Sequence, residues 1–398
     1  EPGRAMLAGS FASVKVRLSH LAETLTPVPA DGKKKLHHSQ HPLAVQNAEL
    51  CLEMFQGIAA STDSKNHMII AEFCMEIVSI APQIADTYME HQSVVLGLLE
   101  FLRDFSEAQI NQLPQHLTNQ LYEACGKVLK VYSDNHIGLV TVDSGSEEEN
   151  FQDIMCILQL LTHLVSKDFV DYSSDHENGS PTTPVVNVSD VIFYGLEKVL
   201  PLMTENLLQF PTLCSNYFAL VSFMLATYVD RLGALRPEVF APLADSLLYG
   251  ARHPDAAVAR GALNSLNELA TFHARAAANG LPGLDAHRTH RPDLFLQPLQ
   301  VLLEMAAFQG GVADRLDPAA NALFALVVCE RGGFEGLVGA LLQRHQHDQA
   351  TQAGLGAAFR GLVTDNGVSF QLDRLNRKRF RENLHKFVGE VRAFLSIH

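Results

Sequence analysis

Four pairs of carboxylates stand four residues apart early in the sequence: Glu49 and Glu53, Glu72 and Glu76, Asp86 and Glu90, Glu100 and Asp104. On a helix this spacing puts both members of a pair on one face. Like charges held so repel by a few tenths of a kcal/mol, roughly 1 to 2 kcal/mol for all four pairs. A solvated face tolerates that cost, because salt screens exposed charges. The same arrangement also suits a negative surface that draws in a basic partner, raising encounter rate and selectivity. The pairs belong to a broader asymmetry. Between Glu49 and Asp171 there are 19 acidic and 5 basic residues, while the rest of the 398-residue chain is balanced, giving a net charge of −14. Surfaces that bind nucleic acid are basic, so DNA is not an expected partner.

Other candidates for chemistry are weaker. The segment RLNRKRFRENLHKFVGEVR, Arg374 to Arg392, holds seven basic and two acidic residues. It reads as a solvated helix face or as a face that docks an acidic surface. Neither a phosphate-binding GxxxxGK[ST] loop, nor HExxH, nor GxSxG occurs. GLGAAFRG, Gly354 to Gly361, sits in a helical pattern with no strand before it, which a dinucleotide loop requires. The 18 histidines include His37, His38 and His41 in a polar insert and His287 and His290 in a loop, and none joins a cysteine at ligand spacing. No enzymatic activity, cofactor or metal is therefore expected. The six cysteines, Cys51, Cys74, Cys125, Cys156, Cys214 and Cys329, lie far apart, mostly inside apolar patterns. They read as buried thiols of a reducing compartment, nucleus or cytosol. The triplets at Asn178 and Asn187 resemble glycosylation signals, but no signal peptide precedes them. The chain opens Glu-Pro-Gly, and a piece of a longer protein is expected.

What must position the acidic pairs is a series of amphipathic helices. Ile154, Ile157, Leu158, Leu161, Leu164 and Val165 repeat at helical spacing, as do Leu117, Leu121, Ala124, Cys125, Val128 and Leu129. The spacing predicts helix pairs over 4–25 and 42–60, 65–81 and 84–106, 112–132 and 149–168, 188–208 and 211–230, 236–250 and 254–278, 291–309 and 314–330, and 333–346 and 349–364. A last helix covers 375–396. Ser189 is the expected N-cap of the helix through Asp190, and Pro201 the expected kink in it. No alternating strand pattern appears. A period of 40 to 50 residues is that of HEAT-type repeats, so the predicted fold is an all-α, armadillo-like right-handed superhelix running over 1–398. Three polar inserts, 26–42, 133–150 and 171–187, are too poor in apolar residues to fold alone. The uncharged run FPTLCSNYFALVSFMLATY, Phe210 to Tyr228, is interrupted by Pro211 and contains Ser215, Asn216, Ser222 and Thr227. It reads as a buried helix contacting two neighbouring repeats rather than a membrane span.

Three stretches carry a resemblance: LYEACGKVLKVYSDN (Leu121–Asn135), LQLLTHLVSKDFVDYSSD (Leu158–Asp175) and DVIFYGLEKVLPLMTENLLQFPTLCSNYF (Asp190–Phe218). They resemble the C-terminal part of export receptors in the importin-β-like family of nuclear transport receptors, closely over about 112–228 and more loosely beyond. The resemblance implies a HEAT superhelix that binds protein cargo together with the GTP form of Ran, passes nuclear pore proteins and shuttles between nucleus and cytoplasm. It implies a basic cargo such as the hypusine-bearing translation factor, and also Smad- and Sox-type cargoes. The principal Ran contacts of the family lie in N-terminal repeats that this chain lacks, so Ran-GTP binding is expected through the complete receptor. In such superhelices the second helix of each pair lines the concave side. That selects Glu49, Glu53, Glu100, Asp104 and Asp153 as candidate partner-binding residues. The alternative is a non-transport helical scaffold within a larger assembly.

Overall fold

The computed structural model describes residues 11–25, 41–136, 151–174, 188–308 and 315–395. Sixteen α-helices and short 3-10 turns make up their regular structure, and there is no strand among them. The chain divides into two compact units, Glu1–Leu202 and Met203–His398.

The first unit contains α1 (Ala12–Leu25), α2 (Pro42–Ala60), α3 (His67–Thr87), α4 (Gln92–Gln109), α5 (Gln115–His136), α6 (Gln152–Ser174) and α7 (Val188–Val199). They form two layers. In one, α2 packs on α4 and α4 on α6; in the other, α1, α3, α5 and α7 follow one another. Sequence pairs therefore alternate between layers, and each apolar face is covered by the next repeat, as in HEAT arrays. Phe55 of α2 meets Phe101 of α4 edge to face with ring centroids 6.0 Å apart, and both are fully buried.

Most boundaries fall within a few residues of the sequence expectation. The departures have physical causes. The helix expected to end at 81 continues through Pro82 to Thr87. An interior proline costs about 3 kcal/mol, but α3 buries ten side chains including Ile77, Val78, Ile84 and Ala85, and that burial outweighs it. As a result Glu90 lies in the turn after α3, and Asp86 and Glu90 do not share a helix face. Likewise α7 begins at Val188, so Ser189 is inside it rather than capping it, and it stops at Val199 before a 3-10 turn at Leu200–Leu202. Pro201 ends the helix instead of kinking it. Of the three inserts, residues 26–40, 137–150 and 175–187 lie outside the described residues; α5 and α6 extend to His136 and Ser174, into the spans assigned to the second and third.

The second unit contains α8 (Pro211–Tyr228), α9 (Pro237–Arg252), α10 (Ala256–Ala278), α11 (Asp285–His290), α12 (Leu296–Phe308), α13 (Leu316–Cys329), α14 (Arg331–Arg344), α15 (Gln349–Leu362) and α16 (Arg374–Leu395). Here α8, α10, α13 and α16 form one layer, with α9, α12 and α14 on the other side. Asp255 starts α10 by accepting the N–H groups of Ala257 and Val258 at 2.8 and 3.0 Å, the N-cap arrangement that satisfies otherwise orphaned donors.

Two helices, His67–Thr87 and Pro211–Arg231, are apolar and long enough to cross a bilayer. In the fold their apolar residues pack against neighbouring helices. α8 is not covered all round, however. Leu213, Tyr217, Leu220, Val221 and Met224 are buried, whereas Ser215, Ala219, Phe223 and Ala226 form an exposed strip.

The last helix departs from the repeat. Position 349–364 was expected to supply the next member of the layer, but α16, not α15, packs beside α13. Phe380 stacks on Phe324 with centroids 5.0 Å apart, and His385 reaches Asp317 at 3.2 Å. Later residues of α16 thus meet earlier residues of α13, so the two run antiparallel. The cause is side-chain volume: α16 brings Phe380, Leu384, Phe387 and Val391 to the core, while α15 is rich in Ala and Gly.

A close crossing fixes α9. A Cβ on Gly250 would stand 2.4 Å from the Phe218 ring and 2.8 Å from Ala262 Cβ. Gly250→Ala is expected to lower stability by about 1–3 kcal/mol through overpacking, despite gaining up to ~1 kcal/mol in helix propensity. A thermal melt checks this; a stabilised variant would contradict the crossing.

His273 gives the unit a pH dependence. It is 4% exposed and stacks on Phe295. Its Nδ1 accepts the Leu284 N–H at 3.2 Å, and Arg288 Nη1 lies 3.3 Å from Nε2. Burial and then the Arg288 charge hold the imidazole below its usual range, with Asp285 opposing. The unfolded chain therefore takes up the proton first. The stability that neutral His273 contributes is fully present above the ordinary histidine range, about pH 6.5, and is lost as pH falls through and below it. The melting temperature should fall between pH 7 and pH 5.5, and His273→Gln should flatten that slope.

Candidate partner-binding surface

The α2–α4–α6 layer brings most of the candidate carboxylates together. The helices lie parallel: Gln56 of α2 and Gln152 of α6 both donate amide hydrogens to Glu100 of α4, at 3.4 and 2.8 Å. Glu100 thus joins three helices while its charge stays unneutralised by those donors. One turn along, Asp104 accepts from Arg103 Nε at 2.7 Å, and Arg103 Nη1 reaches Cys156 Sγ on α6 at 3.2 Å. Asp153 caps the Ile154 N–H through Oδ1 at 2.8 Å and takes the Tyr132 hydroxyl proton donor through Oδ2. Further along, Glu107 of α4 and His163 of α6 stand 4.0 Å apart.

These groups share one electrostatic environment centred on Cys156. The thiol is fully buried, and burial pushes its pKa up to about 11. Arg103 opposes that shift, while Glu100, Asp104 and Asp153 add to it. Burial likewise holds His163 below its ordinary range against the pull of Glu107. Such a thiol stays protonated and is a poor nucleophile or metal ligand. No group of three or more His, Cys, Asp or Glu residues able to hold a metal occurs among the described residues.

The five candidates therefore divide. Glu100, Asp104 and Asp153 converge around Cys156. Glu49 and Glu53 lie on α2 outside that group, and Glu53 sits one turn before Gln56. Neither is in an ion pair among the described residues, and Glu53 is exposed. Asp104 is offset by Arg103, and Asp153 is tied to Tyr132, so the charge open to a partner comes from Glu49, Glu53, Glu100 and the exposed Glu107. Nothing in the residue pattern pointed to Gln56, Gln152 or Tyr132, because neutral donors leave no charge pattern. Arg103, a lone cation among acids, was the one detectable signal.

The pair Glu72 and Glu76 belongs to the other layer, on α3, where Glu76 meets Lys15 at 3.6 Å. It does not share a surface with Glu100.

The family model described as Exportin-4 matches residues 39–398. A relative in Dictyostelium discoideum, Exportin-4, is 20% identical over 373 residues, which is 90% of this chain and 30% of that protein. This chain thus spans under a third of its relative's length. Among solved structures, the crystal structure of an engineered protein aligns over 79% of this chain and 97% of its own, at 11% identity and TM-score 0.45. A second engineered protein aligns over 96% and 99%, at 11% identity and TM-score 0.27.

Proposed function

The chain belongs to the exportin-4 family, and on that premise we propose that it is the cargo-binding segment of a nuclear export receptor that works in a Ran-GTP-dependent cycle. The family is one of transport receptors rather than of enzymes. The observation that carries the finer reading is the unneutralised acidity of the α2–α4–α6 layer, where Glu100 is held between two amides and Glu49, Glu53 and Glu107 add charge. A rigid negative surface of this kind suits a lysine-rich or polyamine-like side chain, such as that of the hypusine-bearing translation factor. Ran-GTP engages the complete receptor, nuclear pore proteins carry it through the pore, and the receptor shuttles between nucleus and cytoplasm.

The test is a pull-down of cargo by the complete receptor with and without Ran locked in its GTP state. Mutual enhancement of cargo and Ran-GTP binding is expected, since two ligands of one export complex must be positively linked. Independent binding of the two would favour a non-transport scaffold.

A further inference from the structure

The second unit carries the opposite charge on its own α8–α10–α13–α16 layer. Arg377 of α16 reaches across to α10, donating from Nη1 to Asn267 Oδ1 and from Nη2 to Thr271 Oγ1, each at 2.8 Å. Both acceptors are neutral. A guanidinium has five N–H donors, so the rest of the fork stays open. Half-buried cations are ordinarily matched by a carboxylate. Here the neighbouring charge is Arg275, and burial and Arg275 together push the Arg377 pKa down. Glu268 opposes, but it is bound at second hand, accepting from Asn267 Nδ2 at 3.0 Å.

The surroundings add to the imbalance. Arg260, Asn267, Thr271 and Arg275 recur on one face of α10, and Arg374 precedes Arg377 by one turn on α16. Arg260, Arg275 and Arg374 are exposed and in no ion pair among the described residues. Other cations on α16 are already engaged: Lys378 with Glu382 at 3.9 Å, Arg381 and His385 with Asp317 at 3.7 and 3.2 Å, and Arg379 with the Gly367 carbonyl at 3.1 Å.

We propose that the α10–α16 face is a docking surface for an acidic protein segment, with Arg377 as the fixed anchor and Arg275 and Arg374 as its flanking charges. A planar fork with open donors matches a carboxylate bidentately. A polynucleotide is the poorer occupant, because Glu268 and Asp317 interrupt the basic face and the whole chain is at −14.

The experiment is fluorescence anisotropy of the full chain with a labelled oligoglutamate peptide, and in parallel with a single-stranded oligothymidine. Wild type should bind the peptide at low salt. The double variant Arg275→Glu and Arg374→Glu, both at exposed positions, should bind at least about ten-fold more weakly with an unchanged melt. Arg377→Lys should also weaken binding, because it keeps the charge and loses the fork. Reversal of Lys386, off this face, should leave affinity unchanged. No peptide binding by wild type, equal binding by the double variant, an equal loss on reversing Lys386, or preferred and arginine-dependent binding of the oligothymidine would each overturn the proposal.

Discussion

Leu220→Asp should unfold the second unit or bring it close to unfolding. Leu220 is fully buried in α8, the helix that packs along α10. Aspartate there would lose the apolar contacts of leucine, about 2–3 kcal/mol of burial. It would also place a carboxyl with no partner in that core, so the group would be forced toward its neutral form at a further penalty. The total, about 4–5 kcal/mol, is a large part of the 5–15 kcal/mol that holds a typical domain together. The neighbouring position supplies the control. Ala219 lies on the exposed strip, so Ala219→Asp should cost only about 0.5 kcal/mol, its loss in helix propensity. Urea unfolding followed by circular dichroism separates the two. Equal midpoints for both variants would mean that the helix faces are assigned wrongly.

Reversing Glu49 and Glu53 to lysine should weaken a basic cargo by about ten-fold or more at low salt, chiefly through slower association. Among the described residues the two side chains make no ion pair, so folding should be unchanged. It should even improve slightly where the repulsion between them is relieved. The effect should shrink as salt rises, because the Debye length is then shorter than the layer. Reversal of Glu147, Glu148 and Glu149, which lie outside the described residues, should matter less if charges on packed helices set specificity. The readout is association and dissociation rates of the complete receptor with a lysine-rich peptide and with the cargo under Ran-GTP. Unchanged rates in the Glu49 and Glu53 variant would reduce the acidic layer to a solvated face.

The helices were legible because their signal is local. Ile154, Ile157, Leu158 and Leu161 announce α6 by spacing alone, and all four are buried. Proline was harder to read, since its cost is local but its compensation is not. Pro82 is carried by the burial of side chains that pack on other helices, while Pro201, with less to hold it, ends α7. The acidic layer was half legible. Charge counts found Glu100, Asp104 and Asp153, but the partners that Glu100 and Asp153 find on other helices are 21 to 52 positions away. Arg377 shows the limit most clearly. Its acceptors lie 110 and 106 residues earlier, and no period in a sequence encodes a contact of that range. The direction of α16 was hidden for the same reason, being decided by where Phe324 and Phe359 leave room for its phenylalanines.

The two glutamines on Glu100 have a kinetic meaning as well as an electrostatic one. A free glutamate samples many rotamers, and a partner that captures it must freeze them, which costs about 1 kcal/mol or more of side-chain entropy. Gln56 and Gln152 have already frozen this carboxylate during folding, from two different helices. An ammonium group arriving at Glu100 would meet an acceptor that needs no rearrangement, and departure would return no rotamer freedom to it. Replacing both glutamines by alanine would therefore leave the charge and the rate of capture nearly intact while shortening the lifetime of the complex. On the proposed reading, Glu100 would set how long a cation stays, whereas Glu49 and Glu53 would set how often one arrives.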